Sequence, residues 1–410
     1  MPIMFRRIEV STGKERFVQR DCPKGKTRGA HGLAGSKNRE QGGGDRRILT
    51  DGRLISTPYD PEDVIGVEPL WDSMEKCKNG VLWKGSVARA WLNGGETVCR
   101  LSSMLHDGTY KPKPLVHFTV TSPVVRNIVG TSFVDRVYQR SLNDNVVYPI
   151  MSRSWVYDNG ACQTGKGTDF SRIRMKRHIE RHYRKHDIGG GILSLDVKGY
   201  YSNMLHVLVN EMFERELPNW AFHMVKDILE HQYPGEIGYC PGSQIMQIAG
   251  VSFLSGIDHF VKEDLGIKGY VRYMDDLRIV HEDIGYLETC LEAVSSELNK
   301  IGLTLNDNKT RINLLTDNVP FLGFTYRLTS SGKVVMRPLQ ETLYRNKRKL
   351  RRLKRIEQAG NRPKGTTDES FRCFIDHVSK GDAYYLIEYF DKWYEKLCMD
   401  VCGGAADGGI

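Results

Sequence analysis

The pattern of apolar and polar positions divides the chain into a weakly patterned start and a strongly patterned remainder. Residues 1–66 hold few core-forming positions and repeat Gly, Lys and Arg, as in Cys22-Pro23-Lys24-Gly25-Lys26-Thr27-Arg28-Gly29. That composition buries too little apolar surface to offset ordering entropy, so it predicts a flexible basic arm. Over residues 70–105, Trp71, Met74, Val81, Val87, Ala90 and Trp91 fall near helical spacing. Residues 116–120 and 125–129 read as strands joined at Ser122-Pro123, and Phe133 begins a helix carrying Arg136 and Arg140. A glycine-broken loop at 161–169 precedes a helix cationic along its whole length, with Arg172, Arg174, Lys176, Arg177, His178, Arg181 and His182. Ile192, Leu193 and Leu195 make a buried strand ending at Asp196, and a helix starts near Asn203. Cys240-Pro241-Gly242-Ser243 opens a long helix expected to run to Val261. Its small residues Ala249, Gly250, Ser252, Ser255 and Gly256 leave room for a base-paired template.

Residues 269–281 read as strand, tight turn, strand, because Tyr270, Val271 and Tyr273 precede Asp275-Asp276 and Leu277, Ile279 and Val280 follow. An amphipathic helix over 286–301, a strand after Lys309-Thr310 and a second tight hairpin over 319–326 come next. Residues 342–360 form a strongly basic helix with a thin stripe of Leu343, Leu350 and Leu353. Two further short helices pack behind it, and the glycine-rich tail from Gly403 is frayed. The predicted fold class is α+β, an antiparallel sheet with helices on one face.

Composition narrows the function. The 410 residues carry a net charge of +9, which favours a polyanionic partner, nucleic acid before a membrane surface. The nine cysteines are scattered and form no CxxC pair; Cys398 and Cys402 have no His at zinc-ligand spacing, so free thiols in a reducing compartment are expected. No signal peptide, lipidation signal or long apolar run is visible, which reads as cytoplasmic. Gly25-Lys26-Thr27 lacks the upstream strand and glycine spacing of a phosphate loop.

Two carboxylate sites carry the candidate chemistry. Asp275 and Asp276, flanked by apolar strands, are half-buried and repel one another unless a divalent cation neutralises them. Asp-Asp at a hairpin tip is also ordinary turn chemistry, and a strand-end Asp such as Asp196 is often a helix cap. Together they make a three-carboxylate set. Pro241-Gly242-Ser243-Gln244 is a helix start whose side chains and free amides can face a nucleotide.

Taken in order, these segments resemble a bacterial reverse transcriptase. Arg126 and Phe133-Val134-Asp135-Arg136-Val137 resemble its fingers segment, Ser194-Leu195-Asp196-Val197-Lys198-Gly199-Tyr200-Tyr201 the first palm motif, and Tyr273-Met274-Asp275-Asp276 the polymerase signature. Pro241-Gly242-Ser243-Gln244 with Gln247 resembles the template-positioning motif, residues 302–306 with Lys309 the next motif, and Phe321-Leu322-Gly323-Phe324 the primer grip.

The resemblance implies a right-hand polymerase with fingers at 67–190, palm at 191–328, a basic helical thumb at 329–402 and a flexible tail at 403–410. It implies two Mg²⁺ ions, with Mn²⁺ as a substitute, held by Asp196 and Asp275, supported by Asp276 and the Val197 carbonyl. Arg126, Lys198, Tyr201, Gln244 and Lys309 are the implied dNTP-binding residues. Tyr201 lies under the sugar, where it excludes a 2′-hydroxyl, and Lys309 is an acid toward pyrophosphate. Gly242, Ser243, Gln247, Tyr273, Phe321, Leu322, Gly323, Arg348 and Arg352 are the implied template and primer contacts.

The implied activity is RNA-directed DNA polymerisation in a bacterial or phage-encoded retroelement, diversification or defence system. Its partners are an RNA template, a DNA or RNA primer, dNTPs and an accessory protein or structured noncoding RNA, without a membrane. The stretch 242–247 resembles the Gly-x-x-x-Ser-Gln element of diversity-generating retroelement enzymes but departs at Met246 and Pro241. Group II intron-like and defence-associated subgroups stay open. So do a template-independent or protein-primed polymerase and a noncatalytic RNA-binding protein on the same scaffold.

Overall fold

The computed structural model describes residues 59–120 and 126–403. It opens with helices α1 (Glu62–Ile65), α2 (Val67–Lys78), α3 (Gly85–Leu92) and α4 (Gly94–His106). The hairpin β1 (Val116–Val120) and β2 (Arg126–Gly130) leads to α5 (Phe133–Leu142), α6 (Tyr148–Met151) and α7 (Thr168–His186). Then come β3 (Gly191–Asp196), α8 (His206–Glu216), α9 (Asn219–Gln232), α10 (Gln244–Ser252), α11 (Ser255–His259), β4 (Gly269–Tyr273), β5 (Asp276–His281) and α12 (Ile284–Lys300). The chain continues through β6 (Arg311–Leu314), β7 (Val319–Phe321), β8 (Phe324–Leu328), β9 (Val334–Pro338), α13 (Gln340–Gln358), α14 (Thr366–Ser379) and α15 (Tyr384–Gly403). The basic segment read as reaching residue 66 therefore ends in a packed helix, with Val64 and Ile65 buried. Residues 1–58 of that segment lie outside the described residues.

The central sheet has the order β4-β5-β3-β6 and is antiparallel throughout. Strand alternation sends Leu193, Leu195, Tyr270, Leu277 and Ile279 into one core, where they meet Leu287, Val294 and Leu298 of α12. Ile192, Val271 and Val280 point the other way. They meet Met175 and Ile179 of α7 and the buried Phe321, Phe324, Tyr326 and Leu328 of a second sheet, β7-β8-β9. Each such side chain contributes about 1.5–3 kcal/mol by leaving water, which fixes the sheet between two layers. The helices expected on one face are present, and α7 with a small sheet covers part of the other. Strand β9 was not anticipated; its signal is the turn at Gly332, with φ +79°, followed by Val334-Val335-Met336.

Two segments depart from expectation. The helix expected to reach Val261 breaks at Phe253-Leu254, where Leu254 has φ −94° and ψ 7°, and α11 restarts at Ser255. Helix α7 is not cationic on every face: Arg172, Arg174, His178 and His182 are buried. Arg174 Nε donates to Asp158 at 2.7 Å, and the Arg172 guanidinium donates to the Leu322 carbonyl at 2.7 and 3.0 Å. The last three helices share a core of Leu350, Phe374, Val378 and Phe390, and Phe371 stacks on Tyr394 at 3.9 Å. At 14 and 20 residues, α14 and α15 are not short. Among the described residues no helix is long and apolar enough to cross a membrane.

Candidate active site

The site grows out of strand register. Along β3 and β5 the pairs Ile192↔Val280, Ser194↔Arg278 and Asp196↔Asp276 share one face because side chains repeat every two residues. That face runs from apolar at one end to two carboxylates side by side at the other. Tyr273 of β4 pairs with Asp276, so the hairpin loop is Met274-Asp275 and Asp276 is the first residue of β5 rather than part of the turn. Met274 has φ +56°, as the first residue of a tight two-residue hairpin requires, and a non-glycine there is strained. The Asp275 carbonyl accepts from the Val197 amide at 3.2 Å, tying the loop to the residue after Asp196. The two carboxylate sites thus converge from positions some eighty residues apart in the chain.

Beneath the loop lies Arg272, fully buried with Asp258. Its Nη1 donates to the Met274 carbonyl at 3.0 Å and its Nη2 to the Val251 carbonyl at 2.9 Å. Its Nε and Nη2 also donate to the Asp258 carboxylate at 2.6 and 2.5 Å, and Tyr270 adds its hydroxyl to that carboxylate at 2.5 Å.

The acids are held by cations. Lys309 Nζ lies 3.0 Å from Asp196 Oδ1, and Asn306 Nδ2 donates to Asp196 Oδ2 at 3.2 Å. Asp276 pairs with Arg278, two residues along the same strand face. Burial pushes the Asp276 carboxyl above its usual range; Arg278 opposes the shift, and the charges of Asp275 and Asp196 reinforce it. Among the described residues no three His, Cys, Asp or Glu side chains are gathered as a metal-ligand set. The backbones converge, but the side chains of Asp196 and Asp276 turn to Lys309 and Arg278. The donor chemistry still fits a hard divalent cation: the ligands would be carboxylate oxygens, and the negative potential felt at Asp276 is what a cation removes. Lys309 is largely exposed and free to swing away from Asp196.

The other sequence-predicted residues divide into those facing open space and those turned inward. A cleft of about 220 Å³ beside the acids is lined by Lys309, Arg311, Leu322 and Gly323. Lys198 is exposed, and Val197 is buried. Gln247 is exposed, while Gln244 keeps its Oε1 buried with no partner between two clefts of about 250 and 530 Å³. Arg140 and Lys76 line both of those clefts. Arg348 and Arg352 are exposed on α13, and Tyr273 is half-buried. The backbone of Arg126 begins β2; its side chain lies outside those described.

Three expectations are corrected, those on Ser243, Phe321 and Gly250. Ser243 is buried and caps α10, accepting from the Met246 amide at 3.5 Å and donating to Gln139 Oε1 at 2.9 Å, so it does not face a template. Gly242 stays exposed and lines the cleft of about 250 Å³, with its backbone so close to β2 that a Cβ would overlap the Val129 carbonyl. Phe321 is a core side chain under the Arg278 guanidinium, 5.0 Å away, and borders the cleft only from below, while the turn residues Leu322 and Gly323 are partly exposed beside it. Gly250 makes room for protein rather than nucleic acid: a Cβ there would lie 2.5 Å from the Tyr201 hydroxyl. That hydroxyl is buried without a partner.

Sequence reasoning missed Arg278, Asn306 and Arg272. Arg278 was readable from its i,i+2 spacing to Asp276. An arginine inside an otherwise apolar strand marked Arg272.

The mixed helix-and-strand architecture is that of a right-hand polymerase. More narrowly, residues 124–326 match the family described as "Reverse transcriptase (RNA-dependent DNA polymerase)", so a reverse transcriptase domain is present over that span. No curated protein sequence matches the chain. Among solved structures the chain is similar to telomerase from Candida albicans in complex with a fragment of telomeric RNA, at 11% identity and a TM-score of 0.42. The likeness covers 59% of this chain and 50% of that one, so the chain spans about half the length of that protein.

Proposed function

We propose that the chain is an RNA-directed DNA polymerase that copies an RNA template into DNA by nucleotidyl transfer. One observation carries the reading: Asp196 and Asp276 are cross-strand partners with Asp275 in the adjoining loop, inside the reverse transcriptase domain. Asp196 and Asp275 would hold two Mg²⁺ ions, with Asp276 supporting them. When bound, such a pair supplies activation of the primer 3′-hydroxyl and charge neutralisation at the leaving pyrophosphate. Lys309, within reach of Asp196, would follow the pyrophosphate charge, and by resemblance to the family Lys198 and Arg126 would clamp the triphosphate. The Tyr201 ring, backed by Gly250, would bar a 2′-hydroxyl and so favour dNTPs. The template is single-stranded RNA, and the hybrid product is held by shape and phosphate contacts. Residues 67–190, 191–328 and 329–402 serve as fingers, palm and thumb. The resemblance of 242–247 to diversity-generating enzymes supports a prokaryotic retroelement or defence setting.

The test is dNTP incorporation on a homopolymeric RNA template with a DNA primer. Asp275→Ala is expected to lower incorporation by about 10³-fold or more, as losing a metal ligand costs several kcal/mol of transition-state stabilisation, while RNA affinity holds. Full activity in that variant overturns the mechanism. Incorporation that survives omission of the template favours template-independent synthesis. The pairing of Asp196 and Asp276 with Lys309 and Arg278 favours one competing reading, a noncatalytic RNA-binding scaffold. That reading requires no incorporation by the unaltered protein at any Mg²⁺ or Mn²⁺ concentration.

A further inference from the structure

The end of the central sheet opposite the acids carries a further cleft, of about 520 Å³. It lies where the last turns of α7 pass the start of β4 and the end of β5. Five residue steps along β5 lead from Asp276 to His281 on its rim, about 17 Å of strand, so it is remote from the acids.

Four permanent cations converge on this cleft: Arg181, Arg184 and Lys185 from α7, and Lys268 from the turn before β4. All four are exposed, and among the described residues none has a carboxylate within ion-pair distance. The one lining carboxylate, Glu282, lies 3.7 Å from both His186 and His281. The first turns of α7 behave differently. Arg172 and Arg174, near its start, are each matched by an aspartate. Helix-dipole compensation accounts for cations at a helix C-terminus. It does not account for Lys268, which brings a fourth positive charge into the same hollow from another element. Like charges at positions three and four apart repel unless an anion lies across them.

We propose that this cleft binds the phosphodiester backbone of an RNA outside the polymerase site. The cations are spread over two elements and more than one helical turn, which suits a chain of phosphates better than a single anion. The rings of His182 and His186, 5.0 Å apart, line the same hollow. The proposal does not depend on the polymerase being active.

The full chain with Arg181→Gln, Arg184→Gln, Lys185→Gln and Lys268→Gln together tests it. Binding is measured over a range of salt for a long structured RNA, for a short primer–template and for inorganic tripolyphosphate. The long RNA is expected to bind at least about tenfold more weakly, with its log–log salt slope reduced by about three. Binding and incorporation on the short primer–template stay unchanged. Unchanged affinity and slope for the long RNA overturn the proposal. So does loss of tripolyphosphate binding alone, which marks a site for a free polyphosphate. Should the fourfold variant fail to fold, Lys268→Glu alone is expected to shift the same RNA measurement in the same direction, and no shift overturns the proposal. An inactive polymerase would show in the incorporation assay and leave the RNA-binding comparison intact.

Discussion

Arg272 shows how a single residue can set a site it does not enter. It is fully buried, opposes Asp258, and holds the carbonyl of Met274 in a loop whose backbone is strained. Breaking a buried pair by removing one partner leaves the other charge uncompensated, at about 3–5 kcal/mol. Arg272→Met is therefore expected to lower unfolding free energy by about that amount in urea denaturation; wild-type stability in the variant would show that the clamp is dispensable. Asp276 supplies a second residue-scale effect, dependent on pH. Its carboxyl is raised by burial, so the folded protein keeps that proton at a pH where a free aspartic acid, at about 3.9, has lost it. Without a cation, its charged form costs stability as pH rises through the folded value. A metal must displace the same proton, so Mn²⁺ affinity weakens as pH falls. Calorimetry at about pH 7 and about pH 5 should find that weakening smaller in Asp276→Asn than in the unaltered protein. Equal pH dependence in the two proteins would mean that Asp276 does not gate the metal.

At the scale of elements, helix α10 and the segment after Asp196 are fitted to one another through Gly250 and Tyr201. The Tyr200 hydroxyl donates to the Gly250 carbonyl at 2.6 Å, which holds the two segments at fixed distance. Gly250→Ala would put a methyl group against the Tyr201 hydroxyl and push the ring toward the incoming nucleotide. A displacement near 1 Å at such a position costs about 10–100-fold in kcat/KM. Since the hydroxyl has no partner, Tyr201→Phe should recover most of the loss, measured as dNTP incorporation by the single and double variants. No recovery would place the damage elsewhere in α10. These elements also show what was legible in advance. The strand ending at Asp196 and the hairpin bearing Asp275 state their own type through apolar runs and a turn, so their pairing was within reach. Ser243 and Phe321 were misassigned because the sequence does not say which face of an element meets protein. Ser243 answers to Gln139, and Phe321 to Arg278, both far off in the chain. The break after α10 was hidden because Phe253 and Leu254 continue an apolar run. It is tertiary packing, with Asp258 drawn to Arg272, that accompanies the bend.

Among the described residues the cations are sorted by place rather than spread evenly. Some cations are internal: Arg172, Arg174 and Arg272 hold carboxylates or carbonyls within the fold. Others face solvent, on the rear cleft and along α13. The helical group that contains α13 is fastened to the rest through β9 and α7. Asp382 exchanges hydrogen bonds with Met336 at 2.6 and 2.9 Å, and Lys380 pairs with Asp169 at 2.8 Å. With that attachment, the exposed Arg348 and Arg352 would lie along a duplex leaving the palm. Their contribution is electrostatic and independent of sequence, so it should appear in salt dependence rather than in the chemical step. Replacing both with Gln is expected to lower the log–log salt slope for a short primer–template by about 1.5–2 and to shorten products, with single-nucleotide incorporation unchanged at saturating template. The rear-cleft variant should give the opposite division, sparing the short primer–template and weakening long RNA. If the two variants produced the same profile on both substrates, the exposed cations would act as one diffuse field, and neither surface would have a distinct nucleic-acid role.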